Sequence, residues 1–206
     1  MLLTACSSDS EVVQVGEFFY TLATAEPVRI SRESAAAIPY ATMSLALGSS
    51  SQVLLILGST ADGDRDWFAG DQVFVRTRHG RVIRTVGLPY DLGGLRILPA
   101  DAAPGSPTTG TLPSQYVLDF PDLGVFGATA QCSSKNAGVE NVVILGTSVA
   151  TRHIVEHCGV AAMKWNFDNE YWLDVMTGYV WRSSQHIHPK SAPLILEALR
   201  PEANPA

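Results

Sequence analysis

The sequence predicts a mainly β, single-domain protein: an antiparallel meander behind one short N-terminal helix. Three observations carry this. From Ile38 onward the chain is a succession of short apolar or alternating runs. Gly, Asn, Asp and Ser separate those runs, which is strand punctuation. Helical periodicity is too scarce to supply the crossovers of a βαβ fold.

Taken in order, Ser8-Asp9-Ser10-Glu11 offers a helix N-cap, and Val12, Val15, Phe19 and Leu22 fall near one face. The spacing predicts a helix from about Asp9 to Ala23, stopped before Pro27. AIPYATMSLAL, QVLLILGST, DQVFVRT and RVIRTVGL follow as strands, parted by GSSS, ADGD and RHGR turns. His79-Gly80 stands where a tight hairpin needs residues tolerant of positive φ. Val73, Val75 and Thr77 alternate with Phe74, Arg76 and Arg78, so the first set faces a core and the arginines face water. Residues 99–114 (PADAAPGSPTTGTLPS) are rich in Pro, Gly, Ser and Thr and read as a long mobile loop within one domain. SQYVLDF, GVFGATAQCS, VENVVILGTS, ATRHIVEHC, VAAMKWNF, EYWLDVM, YVWRSSQHI and APLILEALR then complete the meander. Asp174 to Gly178 closes one hairpin, with Trp172 and Trp181 flanking it as an expected cross-strand pair. The organisation is a tether over residues 1–8 and one domain over 9–206.

The 206 residues are 46% hydrophobic and 17% charged, which supplies a core and excludes global disorder. A net charge of −6 argues against nucleic acid as a partner. The densest basic stretch, Arg76 to Arg81, reads as the solvated face of a hairpin. No run is long and apolar enough for a spanning helix. Cys6, Cys132 and Cys158 form no CxxC pair, so no zinc site is expected.

Few residues point to chemistry. Gly146-Thr147-Ser148-Val149-Ala150 approaches the GxSxG nucleophile elbow, with Asp168 or Asp174 and then His186 or His188 in hydrolase order. The elbow needs strand, turn and helix; a strand-to-strand turn fits the surroundings better. Asp62, Asp64 and Asp66 open like a calcium loop, but Trp67 and Val73 replace its Gly and Glu, so a polar turn is expected. His153/His157 and His186/His188 could each share a strand face, yet no third metal ligand is fixed by spacing. Tyr40, Trp67, Trp172 and Trp181 are candidates to line a groove for sugar or lipid, with core and hairpin packing as the alternative. No cofactor, metal or catalytic residue is expected from these patterns.

Ile38-Pro39-Tyr40-Ala41-Thr42-Met43-Ser44-Leu45 followed by VLLILG resembles the opening of the YjbF/GfcB family of bacterial lipoproteins. The resemblance continues through Trp67, HGRVIRTVGL, and Tyr171-Trp172-Leu173-Asp174-Val175-Met176-Thr177-Gly178 with Val180, Arg182, Ser183 and Gln185. It covers about Ile38 to Glu202. It implies an outer-membrane lipoprotein facing the periplasm, associated with exopolysaccharide or group 4 capsule export and without known catalytic residues. The implied architecture is an open or closed antiparallel barrel. The implied partners are polysaccharide or its export proteins. Cys132 and Cys158 depart from the family pattern; in an oxidising periplasm they could form a disulfide if their strands lie within reach. With the resemblance in view, Leu3-Thr4-Ala5-Cys6 reads as a lipobox whose Cys6 thiol takes the lipid anchor. Met1 and Leu2 alone hold no charged and apolar leader, so the expectation is a start further upstream.

Overall fold

In a computed structural model, residues 28–70, 72–98 and 114–202 are described. The proposed helix Asp9–Ala23 and the lipobox at Cys6 lie outside them, as does the Pro-rich stretch 99–113. Ser114, assigned to that loop, instead opens a strand.

A single helical turn, α1 (Arg32–Ala36), is capped by Ser31, whose hydroxyl accepts from the Ser34 N–H. Among the described residues twelve strands follow: β1 Thr42–Leu47, β2 Val53–Ala61, β3 Asp64–Ala69, β4 Val73–Arg78, β5 Arg81–Val86, β6 Gly94–Leu98, β7 Ser114–Phe120, β8 Val125–Ile144, β9 Thr147–Val160, β10 Trp165–Asp174, β11 Val180–Gln185 and β12 Leu194–Arg200. Every pair is antiparallel, and the sheet order is β5-β4-β3-β2-β1-β12-β11-β10-β9-β8-β7-β6. The chain is thus an up-and-down meander in which β1 pairs with β12, and the sheet curls into a nearly closed barrel. The gap lies between consecutive strands β5 and β6. Thr85 N–H donates to Leu92 O across it (3.0 Å), and Val82 N–H is taken by the Gln185 side chain (2.9 Å). Two edge donors are satisfied in this way, which limits edge-to-edge pairing.

Alternation decides which side chains fill the barrel. On β9, Ile154, Glu156, Cys158 and Val160 point inward; on β10, Phe167, Asn169, Tyr171 and Leu173 do. Leu55, Trp67, Val75, Val82, Phe120 and Leu194 make up the centre of the main apolar cluster. A smaller cluster of Ile154, Tyr171 and Leu173 with Val180 lies toward one end. This is the cleft end, where the β4–β5 and β10–β11 turns meet. The other end is plugged by the β11–β12 loop, in which His188 is fully buried. His188 stacks on Tyr90, meets the Phe120 edge and bonds Asp122 (3.0 Å).

Several expectations change here. β3 and β6 are strands that periodicity did not reveal. In β3 the acids of the supposed polar turn point outward as ladder partners: Asp64 pairs with Arg78 and Asp66 with Arg76, while Trp67 points in. GVFGATAQCS and VENVVI are one continuous strand, β8, kinked by a bulge between Asn136 and Gly138. Arg81 is not solvated. The bulge between Arg76 and Thr77 shifts the register, and Arg81 turns inward. Trp172 and Trp181 do not pair; Trp172 faces Arg182, and Trp181 sits at a bulge. His186 and His188 belong to a loop, not a strand.

The two hairpins marked by positive φ stand as expected. His79 and Gly80 have φ of 48° and 79°, and Gly178 has 75°. At Gly80 there is a second constraint: a Cβ would lie 2.5 Å from a Val180 methyl carbon, so this turn packs directly on the opposite wall.

Candidate functional site: a polar layer and the cleft beside it

The most densely bonded feature inside the barrel is a buried ion pair. Arg81 (β5) donates through both terminal nitrogens to the Glu156 carboxylate (β9), each at 2.8 Å, and both side chains are at most 2% exposed. Tyr116 OH donates to Glu156 Oε1 (2.6 Å) and Asn169 Nδ2 to Oε2 (3.1 Å). The guanidinium lies over the Tyr116 ring at 4.5 Å and the Tyr171 ring at 5.2 Å. Gln185 extends the layer, accepting from Tyr171 OH and donating to Gly80 O. Every acceptor site of the carboxylate that faces the interior is therefore engaged, which is the condition for a buried charge to be tolerated. Burial pushes the Glu156 carboxyl up; Arg81, Tyr116 and Asn169 outweigh it, and the group is held below the ordinary carboxylate range.

Polar residues so placed divide the interior. On β9 the inward order from the cleft end is Ile154, Glu156, Cys158: small cluster, polar layer, main cluster. Cys132 and Cys158 face each other across β8 and β9, with Cα atoms 4.1 Å apart, and are joined by a disulfide. Their sulfurs and a Glu156 oxygen lie close together. The sulfurs are bonded to each other and the carboxylate to Arg81, so this group is not a metal centre as it stands.

At the cleft end, beside the layer, is a cavity of about 190 Å³. β3 supplies Arg65 and Trp67, β4 supplies Thr77, and the β4–β5 and β10–β11 turns supply His79, Gly80, Thr177, Gly178 and Tyr179. Trp67 donates its indole N–H to Thr77 Oγ1 (3.0 Å), which fixes one wall. Arg65 is ion-paired with Glu202. Burial, with Arg65 and Arg78 nearby, lowers the His79 pKa, favouring a neutral imidazole. Desolvation pushes the Tyr179 hydroxyl up to about 12. A cavity of this size falls below the roughly 300–1,000 Å³ of drug-sized ligand pockets. Its lining offers the hydroxyls of Thr77, Thr177 and Tyr179 and the imidazole of His79.

The four aromatic candidates are scattered. Trp67 lines the cavity wall but is 1% exposed, so it cannot stack on a ligand. Trp181 lies beside it, edge-on to Tyr179, with its N–H on Asp174 (3.1 Å). Trp172 is on the outer face, stacked on His153 at 4.6 Å and bonded to Glu140. Tyr40 is 63% exposed, ahead of β1. They form no common groove. His153 is held by Glu170 (2.8 Å) and His157 by Asp168 (2.6 Å), each on the outer face. Ser148 is an exposed residue of β9, opposite Val143. GTSVA is a strand–turn–strand corner, so the nucleophile-elbow geometry is not formed. Arg81, Glu156, Tyr116 and Asn169 were not singled out by motif. One signal was present: in IVEHC, Glu156 occupies an inward position between Ile154 and Cys158, and an inward charge demands a partner.

The buried tyrosines give a pH dependence. Burial raises Tyr116 and Tyr179 to about 12 each, against about 10 unperturbed. Raised values mean that their stabilisation is complete below about pH 10 and is lost as pH climbs toward 12. Chemical denaturation from pH 9 to 12 should show stability falling across that window, less steeply in Tyr116→Phe. An unchanged slope in the variant would refute the assignment for Tyr116.

Comparison with known proteins places this architecture. The chain is 24% identical over 203 residues to the uncharacterized lipoprotein GfcB of Escherichia coli (strain K12), covering 98% of this chain and 94% of that one. It is 24% identical over 197 residues to the uncharacterized lipoprotein YjbF of the same organism, covering 91% and 87%. The crystal structure of the hypothetical lipoprotein YmcC from Escherichia coli (K12) superposes with a TM-score of 0.70 at 20% identity, over 98% of this chain and all of that one, so the barrel is shared. The model of the family described as group 4 capsule polysaccharide lipoprotein, GfcB and YjbF, matches residues 15–199, and the chain belongs to that family.

Proposed function

We propose that the protein is a lipid-anchored accessory factor for capsule or exopolysaccharide production or export, facing the periplasm from the outer membrane and acting by binding. The observation that carries the reading is the filled barrel of a capsule-lipoprotein family member. Leu55, Val75, Phe120 and Leu194 occupy the centre, and the Arg81–Glu156 layer crosses it. A carrier of lipid would instead need a deep apolar cavity along the axis. What remains for recognition is the cleft at one end and the outer strands. In this reading the cleft engages one residue of a glycan chain.

The test is a deletion strain assayed for surface polysaccharide, complemented by wild type or by Thr177→Phe, which fills the cleft from its exposed rim. Loss of surface polysaccharide on deletion, restored by wild type and not by Thr177→Phe, is expected. Unchanged polysaccharide in the deletion strain would end the functional reading. Full rescue by Thr177→Phe would remove the cleft from it. A pull-down of envelope proteins with the wild-type barrel identifies the partner.

A further inference from the structure

We infer that the polar layer is completed by one internal water molecule, held in a small cavity beside Arg81 at the gap in the barrel wall. The first support is an unmatched donor. The Glu156 carboxylate accepts from both terminal nitrogens of Arg81, so it occupies the end of the guanidinium fork. The Nε–H lies on the side of that fork and points elsewhere. The Tyr116 and Tyr171 rings meet the guanidinium with their faces, which leaves Nε without an oxygen. Arg81 is 2% exposed, and among the described residues no group bonds its Nε. A buried N–H is very rarely left without an acceptor in a folded protein, and internal water is a common partner for one.

The second support is the space and its lining. Arg81, Tyr116, Asn169 and Gln185 line a cavity of about 20 Å³, with Val82 and Leu95 among its apolar walls. One water needs roughly 10–15 Å³ of such space, so the cavity takes one and little more. The walls also fix the chemistry of the ligand. Asn169 Oδ1 accepts from His186 N–H (2.8 Å) and, as an amide oxygen, has a second lone pair. Tyr116 gives its hydroxyl proton to Glu156 and keeps acceptor capacity of its own. Gln185 Oε1 already accepts from Val82 N–H and Tyr171 OH. The occupant must therefore accept from Nε–H and donate to oxygen, which water does and an apolar group cannot. The Arg81 charge is matched by Glu156, so an added ion would bring an uncompensated buried charge. Val82 belongs to β5 and Leu95 to β6, the two strands at the ends of the sheet. The water thus stands where no strand ladder closes the wall, and it supplies a polar link there in place of one.

The experiment is a crystal structure of the 206-residue chain, disulfide intact, at a resolution that defines ordered waters. One crystal is grown in chloride and one in bromide. Each should show a single, fully occupied water oxygen about 2.7–3.2 Å from Arg81 Nε, with no anomalous bromide signal at the site. In solution, heteronuclear NMR should give the Arg81 Nε–H resonance a direct cross-relaxation peak with water, of the sign expected for a water that outlasts molecular tumbling. Arg96, whose side chain is 66% exposed, should show no such peak. A dry cavity beside a well-ordered Arg81 overturns the inference. So does an Nε–H bonded to a protein oxygen, or bromide bound in the cavity.

Discussion

Arg81→Met should lower the stability of the barrel by about 3–5 kcal/mol, because it strands a buried carboxylate. Glu156 is 1% exposed. With the guanidinium gone, burial dominates and drives its carboxyl upward, so the group either protonates or unfolds its surroundings. The diagnostic is the second step. In Arg81→Met/Glu156→Gln both charges leave, while an amide keeps a carbonyl oxygen for Tyr116 OH and Asn169. At least half of the loss should return. Urea melts of the two single variants and the double variant read the coupling directly. A double variant whose loss equals the sum of the singles would show that the pair is not coupled. Acid titration gives the matching sign. The folded-state Glu156 value is lowered, so its stabilisation is present above the ordinary carboxylate range and is lost as pH falls through the folded value. The acid limb of the stability curve should therefore flatten in the double variant.

The second large effect is expected from the disulfide. Cys132→Ala/Cys158→Ala opens a loop with a sequence separation of 26, for which chain entropy gives about 3–4 kcal/mol. Both cysteines are buried on the inward face, one step beyond Glu156, so the bond ties β8 to β9 beside the polar layer. The long β8–β9 hairpin has other ties. Arg32 bonds the Leu145 carbonyl and Thr147 Oγ1, and Arg182 Nη2 donates to Val143 O. The barrel should consequently remain folded at low temperature without the disulfide but melt roughly 6–16 °C lower, at the 2–4 °C per kcal/mol usual for a chain of this size. A calorimetric scan with and without reductant provides the measurement. An unchanged melting temperature would mean that strand pairing alone fixes this wall.

Much of the meander was legible locally. β1, β2, β4, β5 and β7 announce themselves by apolar or alternating runs, and the His79-Gly80 and Asp174–Gly178 turns by their chemistry. β3 was hidden because Asp64 and Asp66 read as turn residues; only pairing with Arg78 and Arg76 makes them outward strand positions. β6 is short and half Gly and Arg at its start, so its strand character comes from β7 beside it. The disulfide, raised as an expectation from context, required the register that puts Cys132 opposite Cys158.

The sequence by itself determined the architecture class, the outward and inward sets on β4, and the family to which the chain is similar. Those are set by short-range alternation, turn residues and ordered motifs. Only the tertiary structure decided that Arg81 and Glu156 meet, that Trp67 is wall rather than ligand platform, and that His188 is a buried plug. Each depends on a bulge or a closure between residues far apart in the chain, such as Arg76/Thr77 or the β1–β12 pairing. A one-residue slip exchanges the two faces of a strand, and no local pattern records it.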